Sequence, residues 1–176
     1  FDGVNDKITI TDNPTLDITN EITLTAWVIH HNTASEFFVS KRGSTDSSYS
    51  LATASLGEAT MQVTIGNAQK NCLSPTTFAT NEWTLITGTY DGVNLKIYEN
   101  AVLKNTCPQV GSIDSTAQDL YIGWGVANLN AWDGLIDEAN IFDRALTLAE
   151  IVAMNNSKKP NDFNINKTSI NMEVQC

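Results

Sequence analysis

The stretch EITLTAWVI, residues 21–29, sets the terms for the whole chain. Ile22, Leu24, Ala26 and Val28 fall on one face of an extended segment, with Trp27 and Ile29 on the other, a period of two that belongs to a β-strand and not to a helix. The same rhythm recurs in short segments along the chain: KITI (7–10), EFFVSK (36–41), YSLATA (49–54), TMQVTIG (60–66), NCLSPTTF (71–78), EWTLITGTY (82–90), LKIYEN (95–100), AVLKNTC (101–107), DLYIG (119–123) and LIDEANIF (135–142). Threonine is frequent inside them, as β-branched residues favour pleated backbone. Trp27, Trp83 and Tyr90 read as core aromatics. Many short strands with no internal repeat predict an all-β, antiparallel two-sheet β-sandwich.

One segment departs from the rhythm. In WDGLIDEANIFDRALTLAEI (132–151) the first half alternates, placing Leu135, Asp137, Ala139 and Ile141 on one face and Ile136, Glu138, Asn140 and Phe142 on the other. The second half changes period. Thr147 followed three residues later by Glu150 is a capping-box spacing, which predicts one short helix near residues 147–154. Asp137 shares its face with apolar neighbours, so its carboxylate calls for a partner: backbone N–H groups, water at a sheet edge or a cation. The hairpin turn at Asn100–Ala101 lacks glycine, and alanine accepts positive φ poorly, so a turn of another type is expected there.

Bulk properties narrow the function. The chain has 176 residues, 41% of them hydrophobic, enough for one domain with a full core. Its formal charge is −10, and basic residues adjoin only at Lys41–Arg42 and Lys158–Lys159, which argues against nucleic acid and against an anionic membrane patch. No run of apolar residues is long enough for membrane insertion. The acidity agrees with a secreted protein and with a hard cation such as Ca2+. The chain opens on FDGVND without an initiator Met, which reads as a fragment or processed form, so missing targeting signals carry no weight. Asn155–Asn156–Ser157 and Asn166–Lys167–Thr168 fit the glycosylation acceptor pattern. The cysteines, Cys72, Cys107 and Cys176, match no zinc or iron–sulfur spacing.

Catalytic signatures are missing from the sequence. Glycoside hydrolysis needs two carboxylates flanking one bond, and residues i and i+2 of a strand can do this. The chain offers no Glu-x-Asp or Glu-x-Glu; Asp137 and Glu138 are adjacent and face opposite sides of a regular strand, and nothing favours a cross-strand pair such as Glu82 with Glu99. His30 and His31 end the main strand, at an expected rim or turn. No nucleophile elbow, zincin helix or phosphate loop is present. The chain is therefore read as non-catalytic.

The opening FDGVNDKITI with LDITNEITLTAWV, the middle NEWTLITGTYDGVNLKIYENAVL and the closing WDGLIDEANIFDRALTLAEI together resemble a concanavalin A-like, laminin G-like domain. The likeness runs over residues 1–155; residues 156–176 lie outside it and read as an edge strand or an arm. The resemblance implies a jelly roll, a structural Ca2+, and a module of a larger multidomain protein at an extracellular or cell-surface location. It implies a binding function for glycan, through a loop or concave face with exposed aromatics; the alternative is a structural or adhesive domain that contacts a cell-surface protein. The aromatic-rich GWGVANLNAW insertion supplies the expected ligand-binding residues: Trp124, as an exposed stacking platform, with Asn128, Asn130 and Trp132. Trp132 is also the one of the two tryptophans expected to close the core. A jelly roll brings first and last strands together, so Asp2 and Asp137 are the expected metal ligands, with Asp12, Asp17 and Asp133 as substitutes. It also places the Cys72 and Cys107 segments side by side. A Cys72–Cys107 disulfide is expected, with pairing of Cys176 to either as the rival.

Overall fold

The computed structural model describes residues 1–125, 130–157 and 160. It contains strands β1 (Ile8–Ile10), β2 (Ile22–His30), β3 (Phe37–Arg42), β4 (Ser47–Thr53), β5 (Glu58–Ile65), β6 (Ala68–Thr77), β7 (Thr84–Tyr90), β8 (Asn94–Glu99), β9 (Val102–Pro108), β10 (Leu120–Ile122) and β11 (Gly134–Phe142). One helix, α1 (Leu148–Asn156), follows. The strands form a six-stranded sheet, in the order β1-β10-β3-β4-β5-β6, and a five-stranded sheet, in the order β11-β2-β7-β8-β9. All pairs are antiparallel.

Alternation explains the core. Ile8, Ile122, Val39, Leu51, Met61 and Cys72 lie opposite one another in register across the six-stranded sheet; all but Ile8 pack into the core, and Ile8 at the edge lines an open groove. Ile22, Leu24, Ala26 and Val28 of β2 face them from the other sheet. The sheets approach closely at Gly88, where an added Cβ would lie 2.6 Å from Met61 Sδ, so only glycine leaves room for that methionine. Tyr90 is in this core, whereas Trp27 and Trp83 are buried on the opposite side of the five-stranded sheet, with Ile29, Leu85 and Met154 of α1.

The capping box is formed as expected: Thr147 accepts from the Glu150 N–H, and the Glu150 side chain accepts from the Thr147 N–H. Arg144 adds a two-pronged contact, and its hydrogen bonds, with those from Thr147, hold the Glu150 carboxyl at about 2. Tyr98, Leu146 and Ile151 bury one side of the helix against the five-stranded sheet.

Two local expectations fail. Asn100 and Ala101 both have positive φ, 48° and 62°, so the two-residue turn is the left-handed type despite its alanine. Asn100 compensates by receiving the Leu85 N–H on its side-chain oxygen and donating its own N–H to the Leu85 carbonyl. In β11 the pairing register shifts between Asp137 and Asn140, and Glu138 has a φ of 46°. This bulge breaks strict alternation, so that Ile136 and Ile141, expected on opposite faces, both pack against the main core.

Cys72 and Cys107 are joined by a disulfide with a Cα–Cα distance of 5.5 Å, linking edge strand β6 to edge strand β9. Cys176 lies outside the described residues. Closing a loop of this length contributes roughly 3–4 kcal/mol in the chain-entropy picture. Cys107→Ser should lower the unfolding free energy by about that amount in a urea titration. Non-reducing peptide mapping should recover the 72–107 linkage, and a cross-linked peptide containing Cys176 would overturn this pairing.

Candidate functional site

The outer face of the six-stranded sheet carries the inverse of the core pattern. Thr9, Tyr121, Ser40, Ser50, Gln62 and Asn71 lie opposite one another across all six strands. Hydroxyl and amide groups both donate and accept, which suits the accessible Thr9, Gln62 and Asn71 to read ligand hydroxyls, whereas Ser40 and Ser50 are buried. Ser50 Oγ donates to Gln62 Oε1 at 2.9 Å, and Ser40 Oγ to the Trp124 carbonyl at 2.6 Å. Ser48 Oγ and Thr60 Oγ1 are buried with no hydrogen-bond partner among the described residues. By contrast, the outer face of the five-stranded sheet is covered by α1.

Aromatic rings and two cations border this row. The Arg42 guanidinium carbon lies 4.6 Å from the Phe37 ring centre, and burial lowers its pKa from the ordinary value. Lys7 Nζ sits 4.7 Å from the Trp124 ring centre and 5.7 Å from that of Tyr121. At the end of the β3–β4 hairpin the face opens into a polar cleft of about 270 Å3, lined in part by Arg42, Asp46, Thr64, Asn67, Gln69 and Asp114. Asp46 accepts from Thr116 Oγ1, and Asp114 from the Gly66 and Asn67 N–H groups.

The described residues of the insertion expected to bind ligand are placed differently. Trp124 is only 5% exposed, so its ring is not an open stacking platform: Lys7 lies over it. Trp132 is fully buried, stacked 4.4 Å from His30 and edge-on to Phe38, as befits the residue expected to close the core. Asn130 has a φ of 65° and ties the loop to the β3 entry, donating its side-chain amide to the Ser35 carbonyl while its own carbonyl receives the Phe37 N–H. Asn128 lies outside the described residues.

His30 is buried rather than on a rim. Its Nε2 lies 3.2 Å from Glu36 Oε2, which also accepts the Asp133 N–H. Asn32 and His31 contact Asp133, and the Asn32 hydrogen bond foremost holds that carboxyl below its ordinary range. These contacts brace the end of the sandwich.

The seam between first and last strands forms as expected, but with a different carboxylate. Asp2 forms an isolated bridge with Asp133, not with Asp137. Asp137 pairs with Trp27, four residues farther along, about 13 Å of extended chain. Its side chain accepts the Glu138 N–H, while Asp2 Oδ1 accepts from Val4 and Asn5. Asp2 and Asp137 therefore do not fit one Ca2+ ion. Among the described residues no group of three or more His, Cys, Asp or Glu converges on a point.

Sequence reasoning passed over the outer-face row, Arg42 and Lys7. A signal was present in the polar half of each alternating strand, but which strands stand side by side is a matter of topology.

Comparison with known proteins matches residues 2–152 to the model of a family described as the Concanavalin A-like lectin/glucanases superfamily. No curated protein matches the sequence. Among solved structures, domain 4 of AbnA, a GH43 extracellular arabinanase from Geobacillus stearothermophilus, in complex with arabinotriose, superposes with a TM-score of 0.71 at 18% identity, covering 88% of this chain and 74% of that one. A heptameric SAP-like pentraxin from Limulus polyphemus gives 0.61 at 15% identity over 88% and 83% of the two chains. The ligand-binding domain of botulinum neurotoxin serotype D, in complex with N-acetylneuraminic acid, gives 0.67 at 18% identity; 86% of this chain is covered but only 40% of that one.

The burial of Trp124 has a direct consequence. Trp124→Ala should destabilise the fold by about 3–5 kcal/mol in chemical denaturation, as expected for a buried tryptophan. A variant that melts like the parent would show the ring to be expendable to packing.

Proposed function

We propose, from the premise that this chain belongs to the Concanavalin A-like lectin/glucanases superfamily, that it is a non-catalytic, extracellular glycan-binding module. Its binding face is the outer face of the six-stranded sheet. The observation that carries this reading is the row Thr9–Tyr121–Ser40–Ser50–Gln62–Asn71, whose accessible members Thr9, Gln62 and Asn71 share a face with the partly exposed Tyr121 ring, Ser40 and Ser50 being buried beneath them. Sugars are recognised by such a combination, apolar ring faces packing on aromatics while hydroxyls exchange hydrogen bonds. The row contains no carboxylate, so it lacks the acid and base that glycoside cleavage uses. The ligands held by the arabinanase domain and the neurotoxin domain, arabinotriose and N-acetylneuraminic acid, agree with this class of partner.

A second reading, contact with a cell-surface protein, is favoured by a different feature. An apolar groove of about 360 Å3 runs between β1 and β11, where Ile8 and Ile10 are 55% and 42% exposed. A glycan array on the purified domain separates the two readings: a set of bound oligosaccharides supports the first, and a blank array removes it. In titration calorimetry, Tyr121→Ala should weaken the best oligosaccharide about tenfold, roughly 1.4 kcal/mol, while the thermal midpoint changes little. Unchanged affinity would move the site off this face.

A structural Ca2+ at the N-terminal seam is a separate proposal, supported by the backbone bridge that sets Asp2 opposite Asp133. An ion bound only by the folded state raises the melting temperature. EGTA should therefore lower it and added Ca2+ restore it; an identical melting curve in both removes the ion.

A further inference from the structure

We infer that the outer face selects glycans carrying an oxyanion, a carboxylate or a sulfate ester, through Arg42 and Lys7; this rests on the glycan-binding reading above. The chain is strongly acidic, with 20 Asp and Glu against 10 Lys and Arg. In such a chain a cation readily finds a carboxylate, and most of those described do. Lys41 is paired with Asp12, Lys96 with Asp91, Lys104 with Glu99 and Arg144 with Glu150. Arg42, Lys7 and Lys70 have no carboxylate partner among the described residues, and of these Arg42 and Lys7 lie against aromatic rings on the outer side of the six-stranded sheet.

Arg42 is the more telling of the two. Its Nε is buried and has no hydrogen-bond partner among the described residues, an arrangement that costs stability in the free protein. A planar guanidinium offers Nε–H and a terminal N–H side by side, which matches the two oxygens of a carboxylate or sulfate. Phe37 supports the guanidinium from one side, and Arg42 shares the hairpin cleft with Asp46 and Asp114 without forming an ion pair with either. The long side chains of Gln62 and Gln69 line the narrow gap beside Arg42 and are the flexible groups that would move to admit an acceptor.

Lys7 provides the second positive charge. Its ammonium rests over Tyr121 and Trp124, which hold a cation in place without neutralising it. Tyr121 of β10 stands opposite Ser40 of β3, so the ring that Lys7 rests on belongs to the strand next to the one that carries Arg42. The carboxylates bordering this face are already engaged. Asp46 accepts from Thr116, Asp119 from the Asp12 N–H, Glu58 from the Leu56 N–H and Asp114 from the Gly66 and Asn67 N–H groups. An acidic protein repels polyanions at long range, so affinity for an anionic sugar must come from local contacts.

The test is titration calorimetry with the purified chain against three tetrasaccharides: oligogalacturonate, a sulfated carrageenan oligosaccharide and neutral galactotetraose. Polyglutamate serves as a polyanion that is not a sugar. One of the two anionic sugars should bind at least tenfold tighter than the neutral one, and which one does so distinguishes carboxylate from sulfate. Arg42→Gln should bring the anionic sugar to within about twofold of the neutral level, with Arg42→Lys intermediate. Lys7→Gln, at an exposed position, should weaken it severalfold, with circular dichroism checking that the sandwich is retained since Lys7 lies over the Trp124 ring. Equal binding of neutral and anionic sugars overturns the inference but leaves the glycan-binding reading standing. So does wild-type affinity for the anionic sugar in both Arg42→Gln and Lys7→Gln, or polyglutamate binding as tightly as the sugars. Absence of binding to any sugar overturns both.

Discussion

The register of the six-stranded sheet governs everything else in this molecule. Strand pairing sets Ile122, Val39, Leu51, Met61 and Cys72 in one inward row, with Ile8 at its open edge, and the adjoining positions Thr9, Tyr121, Ser40, Ser50, Gln62 and Asn71 in one outward row. A slip of one residue would exchange the two faces, burying hydroxyls and exposing the core. The irregularities in this register matter as much as the pairing. Phe37 and Arg42 are five positions apart, an odd number that would put them on opposite faces of a regular strand. The register shift between Phe37 and Val39 resets the alternation, and Arg42 can then lie over the Phe37 ring.

Two seams keep the sheets face to face, and they use different chemistry. On one side the Cys72–Cys107 disulfide joins the edge strands. On the other the segment Phe1–Gly3 closes the gap: the Phe1 nitrogen donates to the Gly134 carbonyl, the Gly134 N–H to the Phe1 carbonyl and the Gly3 N–H to the Trp132 carbonyl. Gly134 has no substitute in this arrangement, since a Cβ there would lie 1.9 Å from the Ile29 carbonyl oxygen. A third fastening comes from Lys41, fully buried, whose ammonium reaches Asp12 and the Gln118 carbonyl. That contact satisfies a desolvated charge and holds the entry loop against the sheet.

Most of the architecture was legible because alternation is a local property. Segments such as EITLTAWVI and LKIYEN announce strands without reference to anything distant, and Thr147 with Glu150 announces a helix start in the same way. Three features escaped because their causes lie elsewhere in the chain. The Asn100–Ala101 turn tolerates a positive φ at alanine, with Asn100 hydrogen-bonded in both directions to Leu85, fifteen residues earlier. The β11 bulge leaves no mark in a sequence that alternates through it. Trp124 stands between two glycines, which suggested exposure, yet Lys7 from the far end of the chain covers it. The polar row was visible only as unconnected halves of separate strands.

The availability of that row depends on the helix. A two-sheet sandwich has two outer faces, and both begin as candidates for binding. In this chain α1 folds back on the five-stranded sheet, where Met154 meets Trp27, Ile29, Trp83 and Leu85, and Ile151 joins Tyr98 and Leu146. The large apolar groups of that outer face would be an aggregation hazard if bare, and the helix turns them into a second small core. Its start is fixed by the reciprocal Thr147–Glu150 cap and by Arg144, so the cover is placed by short-range chemistry. The six-stranded sheet has no helix over it among the described residues; its central outer positions are small and polar, Ser40 lying beneath the Trp124 carbonyl and Ser50 bonded to Gln62. The asymmetry between the two outer faces, apolar under the helix and polar where open, thus follows from one short segment after β11.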